Sequence, residues 1–332
     1  MRLTLSVPGL LLPRAVLADT VFDLAAPALE LLLGRARRDV LAPGWLAARF
    51  GLDRLPVAAL RKVGRGGTAS GEHLCLDPVH LKVERSGITL VDPSHLALTL
   101  AEASELIAAL QPLLADWGEL SASIPGHWEL QLSRSPQLET RPLPEAIGQP
   151  ADPALPGGLD GRAWRRLLSE LQTVLHAHPV NRRREETGQP LVNSLWPWGQ
   201  GTLPERTPAA FDAVWSDEPL HCGLAVHAGM RSQPAPASFA PAAGSVLAHI
   251  DRLARPALAL DALAWREALQ ELERDWLQPA LAALRRGECT ELTLVAGAAG
   301  HAAPPLSFSL TRAMLYRFWR RPQPLTSLSE LA

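Results

Sequence analysis

Asn181-Arg182-Arg183-Arg184-Glu185-Glu186-Thr187-Gly188-Gln189-Pro190-Leu191-Val192-Asn193-Ser194-Leu195-Trp196-Pro197-Trp198-Gly199-Gln200-Gly201 is the stretch of this 332-residue chain whose reading decides most. It reads as part of a dense loop, 179–206, that leaves a helix. Arginine supplies paired donors for a phosphate or carboxylate, asparagine bridges turns, and glycine allows close backbone approach. Two readings stand side by side. In one, Arg184 with Asn181 and Asn193 holds a small anion, Trp196 and Trp198 wall the pocket, and Gly199 and Gly201 let backbone come close. In the other, the tryptophans fill a core, and Arg182, Arg183 and Arg184 pair with Glu185 and Glu186 on a solvated face.

Outward from this stretch, the pattern alternates strands with helices. Residues 162–178 put Trp164, Leu167, Leu168, Leu171, Val174 and Leu175 on one helical stripe. Upstream, 3–7 reads as a strand, 25–38 as a helix with a basic end, and 44–61 as one or two helices. Strands at 74–84 and 87–91 are joined by Ser86-Gly87 as a hairpin turn. A helix over 96–114 is kinked or ended by Pro112 near Gln111, and a strand follows at 127–132. Downstream, 209–215 reads as a strand, 220–229 as helix or strand, 263–286 as a long helix, 291–296 as a strand, and 306–320 as a strand–helix pair. Between 133 and 161, six prolines and four glycines bar regular structure, which suggests a connection. The expected division is 1–132, a Pro/Gly-rich connection at 133–161, and 162–332. The class is α/β, with a sheet flanked by helices.

Composition narrows the function classes. Lysine plus arginine number 32 against 34 acids, a net charge of −2, which gives no footprint for nucleic acid or an anionic membrane. Arginine dominates the cations because lysine occurs only at Lys62 and Lys82, a bias typical of GC-rich genomes. The start, Met1 to Pro13, is apolar but broken by Pro8 and Pro13, so a signal peptide is not expected. No apolar run reaches the ~18 residues of a spanning helix. Cys75, Cys222 and Cys289 offer neither a disulfide framework nor a metal knuckle. A cytoplasmic bacterial protein is the expectation.

The run Asn181-x-x-Arg184-x-x-x-Gly188, continued by Asn193-Ser194-x-Trp196-x-Trp198-Gly199-x-Gly201, resembles the signature of RpfE-type bacterial regulatory proteins. Leu55 to Leu60, Asp77-Pro78-Val79-His80-Leu81 and His178-Pro179-Val180-Asn181 agree with it. The same motif is similar to one in archaeal-type cofactor-independent phosphoglycerate mutases of the alkaline phosphatase superfamily. That resemblance implies an alkaline-phosphatase-like scaffold with a metal–phosphate site at the strand ends. Such enzymes need two metals held by Asp and His, and a Ser or Thr nucleophile.

The required parts are missing where the resemblance places them. The first strand runs into Val7-Pro8-Gly9 instead of Asp-Gly, Ala42-Pro43-Gly44-Trp45-Leu46 has no hydroxyl, and Val295 to Pro304 keeps His301 but lacks an Asp beside it. The resemblance therefore implies a degenerate scaffold, with no metal and no cofactor. Its expected role is regulatory, binding a small phosphorylated or anionic ligand or a protein partner. The rival is a metal-dependent mutase or phosphatase with rearranged ligands at His301, His249 and Asp251. A third reading is a purely structural interaction module. His176 and His178 diverge around a helix, and the His221, Cys222 and His227 cluster near Asp217 and Glu218 fits no standard motif. Gly64-Arg65-Gly66-Gly67 lacks the Gly-Lys-Ser/Thr ending of a phosphate loop.

Overall fold

The computed structural model describes residues 1–85, 87–151, 155–206, 208–299 and 303–330. The chain forms two compact units, residues 1–54 with 206–332, and residues 55–205. The first unit opens with β1 (Arg2–Leu11), α1 (Arg14–Val21), α2 (Pro27–Arg35), β2 (Arg37–Val40) and α3 (Trp45–Arg49). The second unit comprises α4 (Val57–Gly64), β3 (Glu72–Glu84), β4 (Gly87–Val91), α5 (Leu100–Leu114), β5 (Gly118–Ile124), β6 (His127–Leu132), α6 (Leu143–Ala146), α7 (Gly161–Ala177), α8 (Pro179–Glu186) and β7 (Ser194–Thr202). The chain then returns to the first unit with β8 (Ala213–Trp215), α9 (Pro219–Ala228), β9 (Arg231–Gln233), β10 (Ser245–His249), α10 (Ala254–Leu258), α11 (Ala262–Leu272), α12 (Gln278–Arg286), β11 (Glu291–Ala298) and β12 (Leu306–Thr311).

The first unit is built on a seven-stranded sheet in the order β2-β12-β11-β1-β10-β8-β9. β1 lies between β10 and β11, parallel to both. Alternation along the strands sends Leu3, Leu5, Leu292, Leu294, Phe308 and Leu310 into one core with the helices α1, α2, α11 and α12. Trp265 in that core donates its indole N–H to Gly9 O at 2.7 Å. Glu273 accepts the backbone N–H groups of Ala28 and Leu29 at 2.6 and 3.1 Å, tying down the start of α2. The helix expected over 263–286 is present as α11 and α12, joined through a π-turn at Glu273–Leu277. Pro279, with no N–H to give, follows that turn.

The second unit carries an antiparallel sheet in the order β4-β3-β6-β5, with β7 also paired to β3. Helices α5 and α7 pack on it through Leu106, Leu110, Trp164, Leu171 and Leu175. α5 starts with a capping box, in which Thr99 Oγ1 accepts from Glu102 N and Glu102 Oε2 accepts from Thr99 N.

The mixed α/β class is as the sequence implies, but the division of the chain is not. The 133–161 segment lies inside the second unit rather than between halves. It is pinned there by the bridges Thr89–Pro150 and Glu139–Gly157, and by Asp160 Oδ2 accepting from Gln137 N at 2.7 Å. Leu143 and Ala146 of α6 pack with Trp196. Among the described residues its prolines limit regular structure to the single turn of α6, yet its apolar residues still find a core. Of the expected hairpin turn Ser86-Gly87, Ser86 lies outside the described residues, while Glu84 pairs with Gly87 across β3 and β4. Among the described residues, no helix is long and apolar enough to cross a membrane.

Candidate functional site

The segment expected as a loop over 179–206 is a helix followed by a strand. Pro179 opens α8, where its missing N–H costs nothing. Pro197 sits within β7, whose ladder runs along β3 alone, so no donor is lost from a central strand. Asn181 is buried and works in both directions: its amide N–H groups donate to Leu175 O and Val192 O at 2.7 Å each, and its Oδ1 accepts from Val192 N at 3.0 Å. It staples the end of α7 to the approach of β7. Asn193 mimics a strand partner, with Oδ1 accepting from Leu81 N at 2.7 Å and Nδ2 donating to Leu81 O at 2.8 Å.

Arg184 is 2% exposed. Its guanidinium donates to Pro190 O at 2.9 Å, to Glu102 Oε1 at 2.8 Å and to Leu96 O. Glu102 thus caps α5 with one oxygen and receives Arg184 with the other. Burial opposes the Glu102 charge, but the Thr99 and Arg184 donors outweigh it and hold the carboxyl below its ordinary range. Arg183 pairs with Glu105, and Arg182 donates to Ala177 O, rather than either meeting Glu185 or Glu186.

The expected anion pocket of Arg184, Asn181 and Asn193 is therefore filled by protein. Three carbonyls or carboxylates already take the arginine's donors, and each asparagine is spent on backbone. Trp196 donates to Arg141 O at 2.9 Å and borders a cavity of about 200 Å³ walled by Leu81, Ile88 and Leu168. Gly199 and Gly201 are needed for packing. A Cβ built on Gly199, at φ +63°, would fall 2.8 Å from the Val57 side chain, and one on Gly201 would fall 2.8 Å from Pro56 Cβ.

Trp198 leads to a group of residues that spacing alone does not reveal. Its indole N–H donates to Asp77 Oδ2 at 2.7 Å. Arg61 grips the same carboxylate with two bonds of 2.9 Å, and Trp128 N donates to its Oδ1. Glu129 lies beside them, with Oε1 3.7 Å from Arg61 Nε and no hydrogen bond to either atom. One buried cation faces two carboxylates, so only one is fully compensated. Burial, reinforced by the Asp77 charge, pushes Glu129 up to about 7. His127 is pushed down to about 4 by burial and by the Arg61 charge, and burial raises the Cys75 thiol well above its ordinary value. The quoted Asp77-Pro78-Val79-His80 motif points at this group, but its partners Arg61 and Glu129 come from elements distant in sequence.

In open α/β sheets, ligands bind beyond the carboxyl ends of the parallel strands. In the first unit those ends bring together Ser6, His249, Asp251 and Asp217, with His221 from α9. The His221 and His249 rings stack at 3.8 Å with 22° between planes. His249 Nδ1 lies 3.3 Å from Ser6 Oγ. Burial, with the neighbouring His249, drives His221 well below its ordinary value. Burial takes His249 to about 4, against the pull of Asp251. Both rings are neutral near pH 7.

A two-metal centre does not fit these side chains. Imidazole coordinates through an in-plane nitrogen lone pair, and here His249 Nδ1 is turned to Ser6 Oγ at 3.3 Å while the His221 ring lies stacked on the His249 face, from which no lone pair projects. Among the described residues, no group of three or more His, Cys, Asp and Glu is placed to hold a metal. His301, the third member of the rearranged set, lies outside the described residues. The adjoining cavity, lined by Asp217, His249 and Asp251, is about 60 Å³. β10 and its His249 have one sequence signal, the short apolar run Val246-Leu247-Ala248 after Gly244.

No family model matches the chain. It is 38% identical over 99 residues to a 2,3-bisphosphoglycerate-independent phosphoglycerate mutase of Methanosarcina barkeri, covering 28% of this chain and 25% of that protein. It is 31% identical over 162 residues to a probable enzyme of the same name from Geobacter sulfurreducens, covering 46% and 40%. Over these segments the chain is homologous to phosphoglycerate mutases. It spans a quarter to two-fifths of the length of these relatives. The PH0037 protein of Pyrococcus horikoshii shares the fold, with a TM-score of 0.52 at 15% identity over 93% of this chain and 86% of that one. A cofactor-independent phosphoglycerate mutase of Thermoplasma acidophilum aligns over 99% and 94% at a TM-score of 0.49 and 16% identity.

Proposed function

We propose that this chain is a phosphoglycerate-mutase-like regulatory protein on a degenerate alkaline-phosphatase-like scaffold, and that it acts by binding rather than by turnover. The observation that carries this reading is the chemistry at the strand ends. Pro8 and Gly9 stand where the mutase pattern has an acid, and two neutral imidazoles are packed against each other and Ser6 where a metal set would need converging lone pairs. Partial homology to mutases supports the scaffold, and the RpfE-like signature supports the regulatory role. What it binds is a small anionic ligand or a protein partner.

The test is metal analysis of the purified protein, together with interconversion of 3- and 2-phosphoglycerate in the presence of Mn²⁺ or Mg²⁺. The expected result is substoichiometric metal and no turnover above the protein-free control. Stoichiometric Mn or Zn with mutase or phosphatase turnover would overturn the reading in favour of a rearranged metalloenzyme.

A further inference from the structure

The sheet of the first unit has a second face. Residue alternation and register place Thr4, Thr293, Ser309 and Arg37 in one row across four strands, with Arg2 beside Glu291 one step below. β1 and β11 pair in parallel, and parallel strands are ordinarily apolar on both faces because helices cover both, whereas β12 and β2 pair antiparallel. Here the amino-terminal half of one face carries hydroxyls, with Thr293 Oγ1 and Ser309 Oγ 3.0 Å apart and each keeping hydrogen-bonding capacity toward the space above the sheet. The face floors a cavity of about 340 Å³, within the size range of small-molecule sites.

The rim of the cavity is charged and its wall aromatic. Arg2, Arg37 and Arg49 line it, with Asp39, Glu291 and the half-buried Trp45. Arg37 is engaged by Asp39 at 3.0 Å. Among the described residues, Arg2 and Arg49 have no side-chain partner. Two free guanidiniums against one further carboxylate leave a net positive charge, suited to a phosphate. An indole face packs on the C–H face of a sugar ring, and hydroxyls with a carboxylate match sugar hydroxyls. We propose that this cavity binds a phosphorylated sugar, the phosphate held by Arg2 and Arg49, the ring against Trp45 and the sugar hydroxyls on the Thr4–Thr293–Ser309 floor. The site opens at the amino ends of β1, β10 and β11, the opposite end from His249 and Ser6.

The inference rests on the binding role proposed above and names the ligand class. The experiment is saturation-transfer NMR on the full chain with glucose 6-phosphate as probe, and with glucose and inorganic phosphate as separate arms. Glucose 6-phosphate should give transfer, and each half alone should bind about tenfold more weakly or worse. The Arg2→Gln/Arg49→Gln double variant should lose about tenfold or more in affinity at an unchanged Tm. Arg38→Gln, on the same strand as Arg37 but on the other face, should bind as the wild type does. No transfer to the wild type at millimolar probe, equal binding by the double variant, or equal binding of phosphate alone would each overturn the assignment. Mutase turnover would sink the regulatory reading without changing the NMR result, so the two failures are distinguishable.

Discussion

Arg184 shows how a residue rich in recognition chemistry becomes structural. A guanidinium that is 2% exposed, with Nε, Nη1 and Nη2 already donating to Pro190, Glu102 and Leu96, is buried away from any solvent-borne ligand. Removing it leaves two carbonyls and a partly buried carboxylate uncompensated, so Arg184→Ala should cost about 3–5 kcal/mol of unfolding free energy in urea. Asn181→Leu, which strands Val192 O and Val192 N and leaves Leu175 O with His178 N alone, should cost about 2–4 kcal/mol. A loss below about 1 kcal/mol in both variants would mean that these bonds do not hold the unit together. Glu129 makes a prediction of opposite character. Its folded value near 7 lies above that of an unfolded glutamate, so its contribution to stability is fully present below about pH 4.5 and is lost as pH rises through 7. Glu129→Gln, neutral at every pH, should therefore stabilise by about 1–3 kcal/mol at pH 8 and change little at pH 4.5. Equal effects at the two pH values would refute the protonated carboxyl.

At the scale of elements, β7 and α4 show what a sequence discloses and what it hides. The helical stripe of α7 and the alternation in β11 are local periodicities, and both elements stand where those periods put them. Trp196-Pro197-Trp198-Gly199 carries proline and glycine, the usual marks of a turn, yet Trp196, Pro197 and Trp198 pair with Asp77, Leu76 and Cys75 of β3, and Gly199 falls at the register shift that follows. The reason is non-local: an edge position excuses Pro197, and the closeness of α4 demands glycine at 199 and 201. The same holds for the candidate sites. Asp77 lies in a visible motif, whereas Arg61, Glu129, His221 and His249 gather only through pairing and packing across long sequence separations. Gly201→Ala puts a methyl 2.8 Å from Pro56 Cβ and 3.1 Å from its Cα. It should push α4 off β7 and cost about 1–3 kcal/mol, with faster amide exchange confined to Val57–Gly64 and Ser194–Thr202. Exchange unchanged in those two elements would show that the contact is slack.

At the scale of the whole molecule, the chain leaves its first unit at residue 54 and re-enters it at 206. Pro56 and Gly201 lie in contact, so the second unit begins and ends at neighbouring points. On the other side, Ala210 N donates to Arg49 O at 2.9 Å and the Phe50 and Phe211 rings lie 5.8 Å apart, so the first unit closes its own ends as well. Each unit has its own sheet and its own core, with Trp164 and Trp128 in one and Trp265 and Trp276 in the other. A segment with adjoining ends, a separate core and ordinary domain size meets the conditions for independent folding. Residues 55–205 expressed alone should give a soluble protein with a cooperative thermal transition and sharp near-UV circular dichroism from its packed tryptophans. It should also keep the Arg184–Glu102 and Arg61–Asp77 pairs, and with them the sensitivity to Arg184→Ala and the pH response of Glu129→Gln. Residues 1–54 joined to 206–332 through a short Gly-Ser bridge should fold likewise and retain the Arg2–Arg49 cavity. A 55–205 fragment with helical far-UV signal but no near-UV signal and no cooperative melt would show that its core is incomplete without the rest of the chain.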